Sequence, residues 1–113
     1  IDKANTRIAE MADRVIEYID SKYTDSSINL DAVADKFNIS VSYLSSILKK
    51  EKGINFSKYL ITVRINRAKE LLKFTDLKVV EVAREVGYND VYYFSHSFKK
   101  NTKMSPKEYR EHE

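Results

Sequence analysis

The chain has 113 residues, of which 33% are charged and 42% hydrophobic, and its formal net charge is +3. Two glycines and one proline disfavour a turn-rich sheet protein, and the lack of cysteine excludes disulfides and thiolate metal sites. No stretch resembles a membrane span or a signal peptide. We therefore expect an all-α, cytoplasmic protein that does not enter a membrane. Because the chain begins with Ile1 rather than Met, we also expect it to be part of a longer protein.

The first predicted helix carries apolar residues at three-and-four spacing from Ile8 to Ile19 and ends near Tyr23. After a polar turn, a short helix is predicted over 30–37 and a second helix over 41–52. Ser40 is a suitable N-cap for the second helix, and Gly53 is a suitable terminator. Together these elements form a first subdomain over residues 1–54.

A linker helix is predicted over 55–73, with Asn55 as its cap. Its 19 residues would span roughly 28 Å. Its predicted apolar stripe consists of Phe56, Tyr59, Leu60, Val63, Ala68, Leu71 and Leu72.

The pattern of short helix, turn and helix returns over 79–86, 87–90 and 91–101. A last short helix opens at Ser105, with Pro106 in the first helical position. The second subdomain is thus predicted over 74–113, giving about seven helices in all.

The two subdomains share a sequence repeat. Residues 33–39 match the chain 49 positions later, so that Ala34 pairs with Ala83 and Asn38 with Gly87. From Ser40 onward the offset is 50, which one inserted turn residue explains. A small residue followed four positions later by one that tolerates a left-handed backbone is what two helices crossing at a tight turn require, so the repeat predicts two helix-turn-helix motifs.

On a helical wheel, the second helix of each motif separates an apolar face from a polar one. The polar faces, which any amphipathic helix would have, are also candidate reading surfaces. They carry Ser42, Ser45, Ser46 and Lys49 in the first motif and Tyr92, Ser95, His96 and Lys99 in the second.

Positive charge is concentrated near these helices. Residues 40–75 hold eight Lys or Arg against two Glu, residues 91–110 hold five against one, and residues 1–28 hold four against six acidic side chains. Such clustering is typical of a protein that binds a polyanion, although a charge run is also common on a solvated face.

The run from Leu30 to Arg110 resembles the tandem helix-turn-helix domain of the AraC/XylS transcription regulators. The N-terminal helix, with Tyr18, Ile19 and Tyr23, is similar to the version found in response regulators of this family. The residues that carry the likeness in the second half are Val82, Ala83, Val86, Gly87, Tyr88, Asp90, Tyr93, Phe94, Ser95, Phe98, Lys99, Ser105, Pro106, Tyr109 and Arg110.

The resemblance implies a homeodomain-like, non-enzymatic module that binds double-stranded DNA and inserts its recognition helices, 41–52 and 91–101, into successive major grooves. It also implies an upstream sensor or receiver domain, and an activator that contacts RNA polymerase. No cofactor is implied. By likeness, Ser42, Ser45, Ser46, Tyr92, Ser95 and His96 stand where the family reads bases.

Phosphate contacts are expected from Lys49, Lys50, Lys99 and Lys100, although lysines at the ends of helices also suit the helix dipole. Lys103 stands where the family has glycine, and we expect it to add a phosphate contact. The base-reading set contains no Arg, Asn or Gln, so bidentate base recognition is excluded there and direct specificity should be modest. Tyr92 and His96 should be its most informative members.

Two other functions are compatible with the sequence. The chain could be a helical protein-interaction module that uses Tyr92, Tyr93 and Phe94, or a DNA-reading appendage of a larger enzyme. An enzyme site within the chain is disfavoured, because His96 and His112 lie apart and no activated nucleophile is evident. Binding that weakens steeply with salt would favour DNA, and salt-insensitive binding would favour a protein partner.

Overall fold

The computed structural model describes residues 3–112, with side chains from Thr6 onward. Seven α-helices occur in this range, and the prediction of an all-α fold is confirmed. The helices are α1 Lys3–Lys22, α2 Leu30–Lys36, α3 Val41–Ile47, α4 Phe56–Phe74, α5 Val79–Glu85, α6 Val91–Thr102 and α7 Pro106–Glu111.

The chain divides into two compact units. The first contains the chain as far as Lys22 together with Ser27–Leu60, and the second contains Tyr23–Ser26 together with the chain from Ile61. Helix α4 begins in the first unit and continues in the second. The four residues that directly follow α1 therefore belong to the second unit, although α1 itself belongs to the first.

The core of the first unit is formed by apolar side chains of α1, α2, α3 and the segment after α3. Each larger side chain in such a core contributes about 1.5–3 kcal/mol through its burial. An edge-on contact between the rings of Tyr18 and Phe37, with centroids 5.8 Å apart, joins α1 to the end of α2. The buried residues include Ala12, Val15, Ile19, Val33, Ala34, Leu44, Ile47 and Leu48.

The core of the second unit is built around aromatic rings. Centroid distances are 5.3 Å between Tyr88 and Phe94, 5.8 Å between Phe94 and Phe98, and 5.4 Å between Phe98 and Tyr109. Aliphatic side chains of α4 and α5 complete this core, among them Ile65, Ala68, Leu72, Val82 and Val86.

The predicted apolar stripe of the linker helix is only half-buried at two positions, Tyr59 and Val63. Arg64 and Ile65, which lie outside the predicted stripe, are 8% and 3% exposed. Since α4 packs in two units, no single face is buried along its whole length.

Helix caps follow the predicted residues. The backbone N–H of Tyr43 donates to Ser40 Oγ at 3.0 Å, and that of Lys58 donates to Asn55 Oδ1 at 3.1 Å. At α7 the N–H of Glu108 donates to Ser105 Oγ, and the Ser105 N–H donates to the Glu108 carboxylate at 2.8 Å. This bond from the backbone of Ser105 lowers the pKa of Glu108.

The predicted helix over 41–52 has the expected bounds, but it is not α-helical throughout. Helix α3 ends at Ile47, and the chain continues as a π-helical turn over Leu48–Lys52. In this turn Leu48 is fully buried, and Lys52 forms an ion pair with Asp13 of α1. Gly53, with φ of +64°, ends the turn as predicted. Smaller differences are that α6 ends at Thr102, one residue later than predicted, and that α2 and α5 each end one residue earlier.

Candidate nucleic-acid interface

The turn of the first motif is held by the backbone. The N–H of Ile39 donates to the carbonyl oxygen of Ala34 at 3.1 Å, and the N–H of Asn38 donates to that of Asp35 at 3.1 Å. Asn38 has φ of +56°, and Ala34 is 2% exposed. The small alanine lets the two helices approach each other at this turn.

The turn of the second motif repeats these bonds 49 residues later. The N–H of Tyr88 donates to the carbonyl oxygen of Ala83 at 2.9 Å, and the N–H of Gly87 donates to that of Arg84 at 3.1 Å. Gly87 also has a positive φ, of +104°, and Ala83 is 1% exposed. The predicted pair of helix-turn-helix motifs is confirmed.

The polar face of α3 carries the predicted serines. Ser42, Ser45 and Ser46 are exposed, while Leu44 and Ile47 on the opposite face are buried. A groove of about 310 Å³ runs beside this face. It is lined by Leu30, Ser45, Lys49, Ile54, Asn55, Phe56 and Ser57.

The outer face of α6 is dominated by aromatic side chains. Tyr92 is 83% exposed and His96 is also exposed, whereas Ser95 is half-buried. The Asp90 carboxylate caps the first turn, accepting bonds from the N–H groups of Tyr92 at 2.8 Å and Tyr93 at 3.3 Å. This cap fixes the backbone that carries Tyr92.

The rival prediction of a protein-binding surface is wrong at Phe94. That prediction placed Tyr92, Tyr93 and Phe94 together against a partner, but Phe94 is fully buried in the core of its own unit. Since residues one and two positions apart on a helix point in different directions, Tyr92 and Phe94 cannot share a face.

The predicted phosphate-binding lysines are all exposed. Lys49 and Lys50 lie in the π-helical turn, and Lys99 and Lys100 lie in the last part of α6. Lys103 follows α6 with φ of +70°, and its N–H donates to the carbonyl oxygen of Lys99 at 2.8 Å. The left-handed backbone that favours glycine is thus kept here with a lysine in place.

The sequence did not predict the burial of two polar side chains of the second unit, Arg64 and Ser97. Ser97, at the position of Ile47 in the repeat, is 6% exposed, and its Oγ lies 3.3 Å from the phenolic oxygen of Tyr88. Arg64 donates from Nε to the carbonyl oxygen of Tyr23 at 2.8 Å and from Nη2 to that of Asp25 at 3.0 Å. A polar residue at an apolar position of the repeat was the available signal for Ser97, but no local signal marked Arg64.

Residues 3–112 contain no helix that is both long and apolar enough to cross a membrane. In the same part of the chain, no three His, Asp or Glu side chains are grouped so that they could hold a metal ion.

The profile of a family described as "Helix-turn-helix domain" matches residues 33–112. The chain is 43% identical over 105 residues to the Escherichia coli HTH-type transcriptional regulator YijO, covering 93% of this chain and 37% of that protein. It is 37% identical over 94 residues to the E. coli arabinose operon regulatory protein, covering 83% of this chain and 32% of that protein. The chain thus spans about a third of the length of these relatives.

One solved structure resembles this chain over nearly the whole length of that structure. It is the C-terminal domain of the two-component response regulator yesN from Fusobacterium nucleatum, with 40% identity and a TM-score of 0.86 over 89% of this chain and 98% of that one. The two matching turns, the family match and these relatives all indicate the same kind of protein. The chain belongs to the AraC/XylS family of transcription regulators and is a tandem helix-turn-helix DNA-binding domain of that family.

Proposed function

We propose that this domain binds one double-stranded DNA site by inserting α3 and α6 into successive major grooves. The observation that carries the proposal is the repetition of one turn geometry, Ile39 N–H to Ala34 and Tyr88 N–H to Ala83, each followed by a helix with an exposed polar face. Helix α4, of 19 residues, runs unbroken between the two motifs. Successive major grooves lie about 34 Å apart on one side of B-DNA, and the length of such a helix, roughly 28 Å, is of the same order.

Base reading is assigned to the exposed faces of the two helices. Ser42, Ser45 and Ser46 offer short hydroxyls that suit water-mediated or single contacts, while Tyr92 and His96 reach further. Ser95, which is half-buried, would contribute least. Without bidentate side chains, much of the specificity would come from the shape of the DNA and from bridging water.

Phosphate contacts are assigned to Lys49, Lys50, Lys99, Lys100 and Lys103. All five are exposed, so their ammonium groups are available to a polyanion without loss of packing. Each phosphate neutralised would steepen the salt dependence of binding but would add no sequence information.

In the full-length protein we propose a cytoplasmic response regulator or sensor-linked activator. The likeness to the C-terminal domain of a response regulator supports an N-terminal receiver or sensor domain. Similarity to a protein described as a lactose operon transcription activator, 32% identical over 105 residues, supports activation, for which RNA polymerase is the expected partner.

The proposal is tested by selecting bound duplexes from a random pool and footprinting the best sequence. We expect an asymmetric site with two protected segments about one helical turn apart. A single palindromic half-site would contradict insertion of both helices.

The salt dependence of binding separates DNA recognition from protein interaction. If all five lysines contact phosphate, the slope of log K against log salt should approach about −4.5, at about 0.9 per contact. A tight, salt-insensitive complex with a protein would instead support an interaction module that uses Tyr92 and Tyr93, which are 83% and 60% exposed.

A further inference from the structure

Arg64 is a buried cation in the second unit that direct contact with DNA does not explain. It is 8% exposed, and its guanidinium binds the backbone carbonyl oxygens of Tyr23 and Asp25. Burial lowers the pKa of Arg64, and the charges of Tyr88 and Asp25 oppose that effect. Because burying a guanidinium is unfavourable unless its N–H groups are satisfied, this arrangement holds the Tyr23–Ser26 segment firmly in the second unit.

The same guanidinium lies against the turn of the second motif. A Cβ atom on Gly87 would lie 2.5 Å from the carbonyl oxygen of Tyr23 and 2.8 Å from Arg64 Nε. In the first motif the equivalent residue is Asn38, which adopts a positive φ with a full side chain. Glycine at position 87 is therefore required by this close packing as well as by the backbone of the turn.

Tyr88 connects Arg64 to α6. The guanidinium carbon of Arg64 lies 5.3 Å from the centroid of the Tyr88 ring, a distance suited to a cation–π interaction. The same ring packs against Tyr93 at 5.8 Å and Phe94 at 5.3 Å, and its hydroxyl oxygen lies 3.3 Å from Ser97 Oγ. Three residues of the proposed recognition helix thus rest on one ring that Arg64 holds in place.

We infer that Arg64 is a positioning residue that sets the orientation of α6 through Tyr88 and Gly87 and ties it to the Tyr23–Ser26 segment. The inference rests on the proposed reading of bases by α6. The inference predicts an effect on one helix only, since disturbing Arg64 should alter recognition by α6 and leave recognition by α3 unchanged. A purely structural role would weaken binding to every base pair of the site alike.

The test compares Arg64→Lys, which keeps the charge but loses the planar fork, with Gly87→Ala, which forces a methyl group into the same contact. Binding is measured to duplexes altered in one segment of the selected site at a time, and the α6 segment is identified as the one where Tyr92→Ala loses discrimination. We expect discrimination in that segment to fall by about three- to tenfold in both variants, with little change in the α3 segment. The matched control is Gly53→Ala, which also imposes a side chain at positive φ but meets no atom within 4 Å.

Amide NMR spectra of the free domain provide a readout that does not depend on DNA. Both variants should shift the signals of Tyr93, Phe94 and Ser97 and leave those of α3 in place. In the double variant the effects should not add, because both changes disrupt one contact. Uniform weakening at both segments, or unchanged α6 signals, would overturn the inference.

Two further outcomes are distinguishable. A wild-type domain that binds no duplex would defeat the proposed function, while the NMR comparison would still decide the role of Arg64. If the substitutions at Arg64 and Gly87 unfold the domain, Tyr88→Leu leaves both of those residues unchanged and removes the ring that lies between Arg64 and α6. It should reduce discrimination in the α6 segment alone, and unchanged discrimination there would overturn the inference.

Discussion

Asn38 and Gly87 occupy the same position of the repeat and share a positive φ, of +56° and +104°, but Asn38 is exposed whereas Gly87 is buried against the backbone of Tyr23. We predict that Asn38→Gly changes the free energy of unfolding by less than about 0.5 kcal/mol. We predict that Gly87→Asn destabilises the domain by about 2–4 kcal/mol, because its Cβ would meet the carbonyl oxygen of Tyr23. Urea denaturation of both variants measures the difference, and equal destabilisation would contradict it.

Ser97 and Tyr88 provide a second stability test. Ser97→Ala leaves the buried hydroxyl of Tyr88 without this partner and should cost about 1 kcal/mol, at the low end for such a loss because 3.3 Å is a long hydrogen bond. Adding Tyr88→Phe to Ser97→Ala should cost little more, since both ends of the contact are then removed. Strictly additive effects in this double-mutant cycle would show that the two hydroxyls do not interact.

These residues also show which features were predictable from sequence. The two turns and the caps at Ser40, Asn55 and Ser105 depend on residues a few positions apart, so local patterns indicated them. The burial of Arg64 depends on carbonyl groups 41 and 39 residues earlier, which no helical pattern reveals. The ion pair between Lys52 of the π-helical turn and Asp13 of α1 likewise joins residues far apart in sequence.

The candidate site divides in the same way. The exposed faces of α3 and α6 followed from helical periodicity, as did the opposite directions of Ser42 and Leu44. The repeat placed Ser97 at the apolar position of Ile47, but it did not indicate the contact with Tyr88, which lies across the turn. Helical periodicity identifies which face of each helix is exposed, but only tertiary contacts reveal what holds α6 in position.

Tyr59 allows a test of the first unit by pH. Burial, together with a hydrogen bond to the Asp20 carboxylate at 2.7 Å, raises the pKa of Tyr59 from 10.0 to about 12. Since the folded pKa lies above the unfolded one, the neutral phenol stabilises the fold below about pH 10, and this contribution is lost as the pH rises toward about 12. The difference in phenolate absorbance between wild type and Tyr59→Phe should show this midpoint.

Asp20→Asn is the matched variant for that titration. It removes the negative charge but keeps an oxygen that can accept from Tyr59, so the pKa of Tyr59 should fall but stay above 10.0, because burial is the largest cause of the shift. A wild-type midpoint near 10.0 would show that Tyr59 is neither buried nor hydrogen-bonded to Asp20 in solution.

Base reading and phosphate binding by α6 should respond differently to substitution. We predict that Tyr92→Ala combined with His96→Ala reduces discrimination among base pairs of one segment by about tenfold and leaves the salt slope unchanged. Lys99→Gln combined with Lys100→Gln should weaken binding to all sequences and reduce the slope by about 1.8. Lys22→Gln, a change of charge in α1, is the control for net charge. Unchanged sequence preference in the first pair would refute the assignment of Tyr92 and His96.

Lys103 combines a backbone conformation that suits glycine with a charge that suits DNA. At φ of +70° its Cβ is unfavourable, so Lys103→Gly should raise the free energy of unfolding by about 0.5–1 kcal/mol, after the greater flexibility of glycine in the unfolded chain is subtracted. The same substitution removes a proposed phosphate contact and should lower the affinity for DNA and reduce the salt slope by about 0.9. Lys103→Gln keeps the backbone penalty and removes only the charge, so it should lower affinity without raising stability. If Lys103→Gly is stabilised but binds DNA as tightly as the wild type, Lys103 makes no phosphate contact and the lysine has another role at this turn.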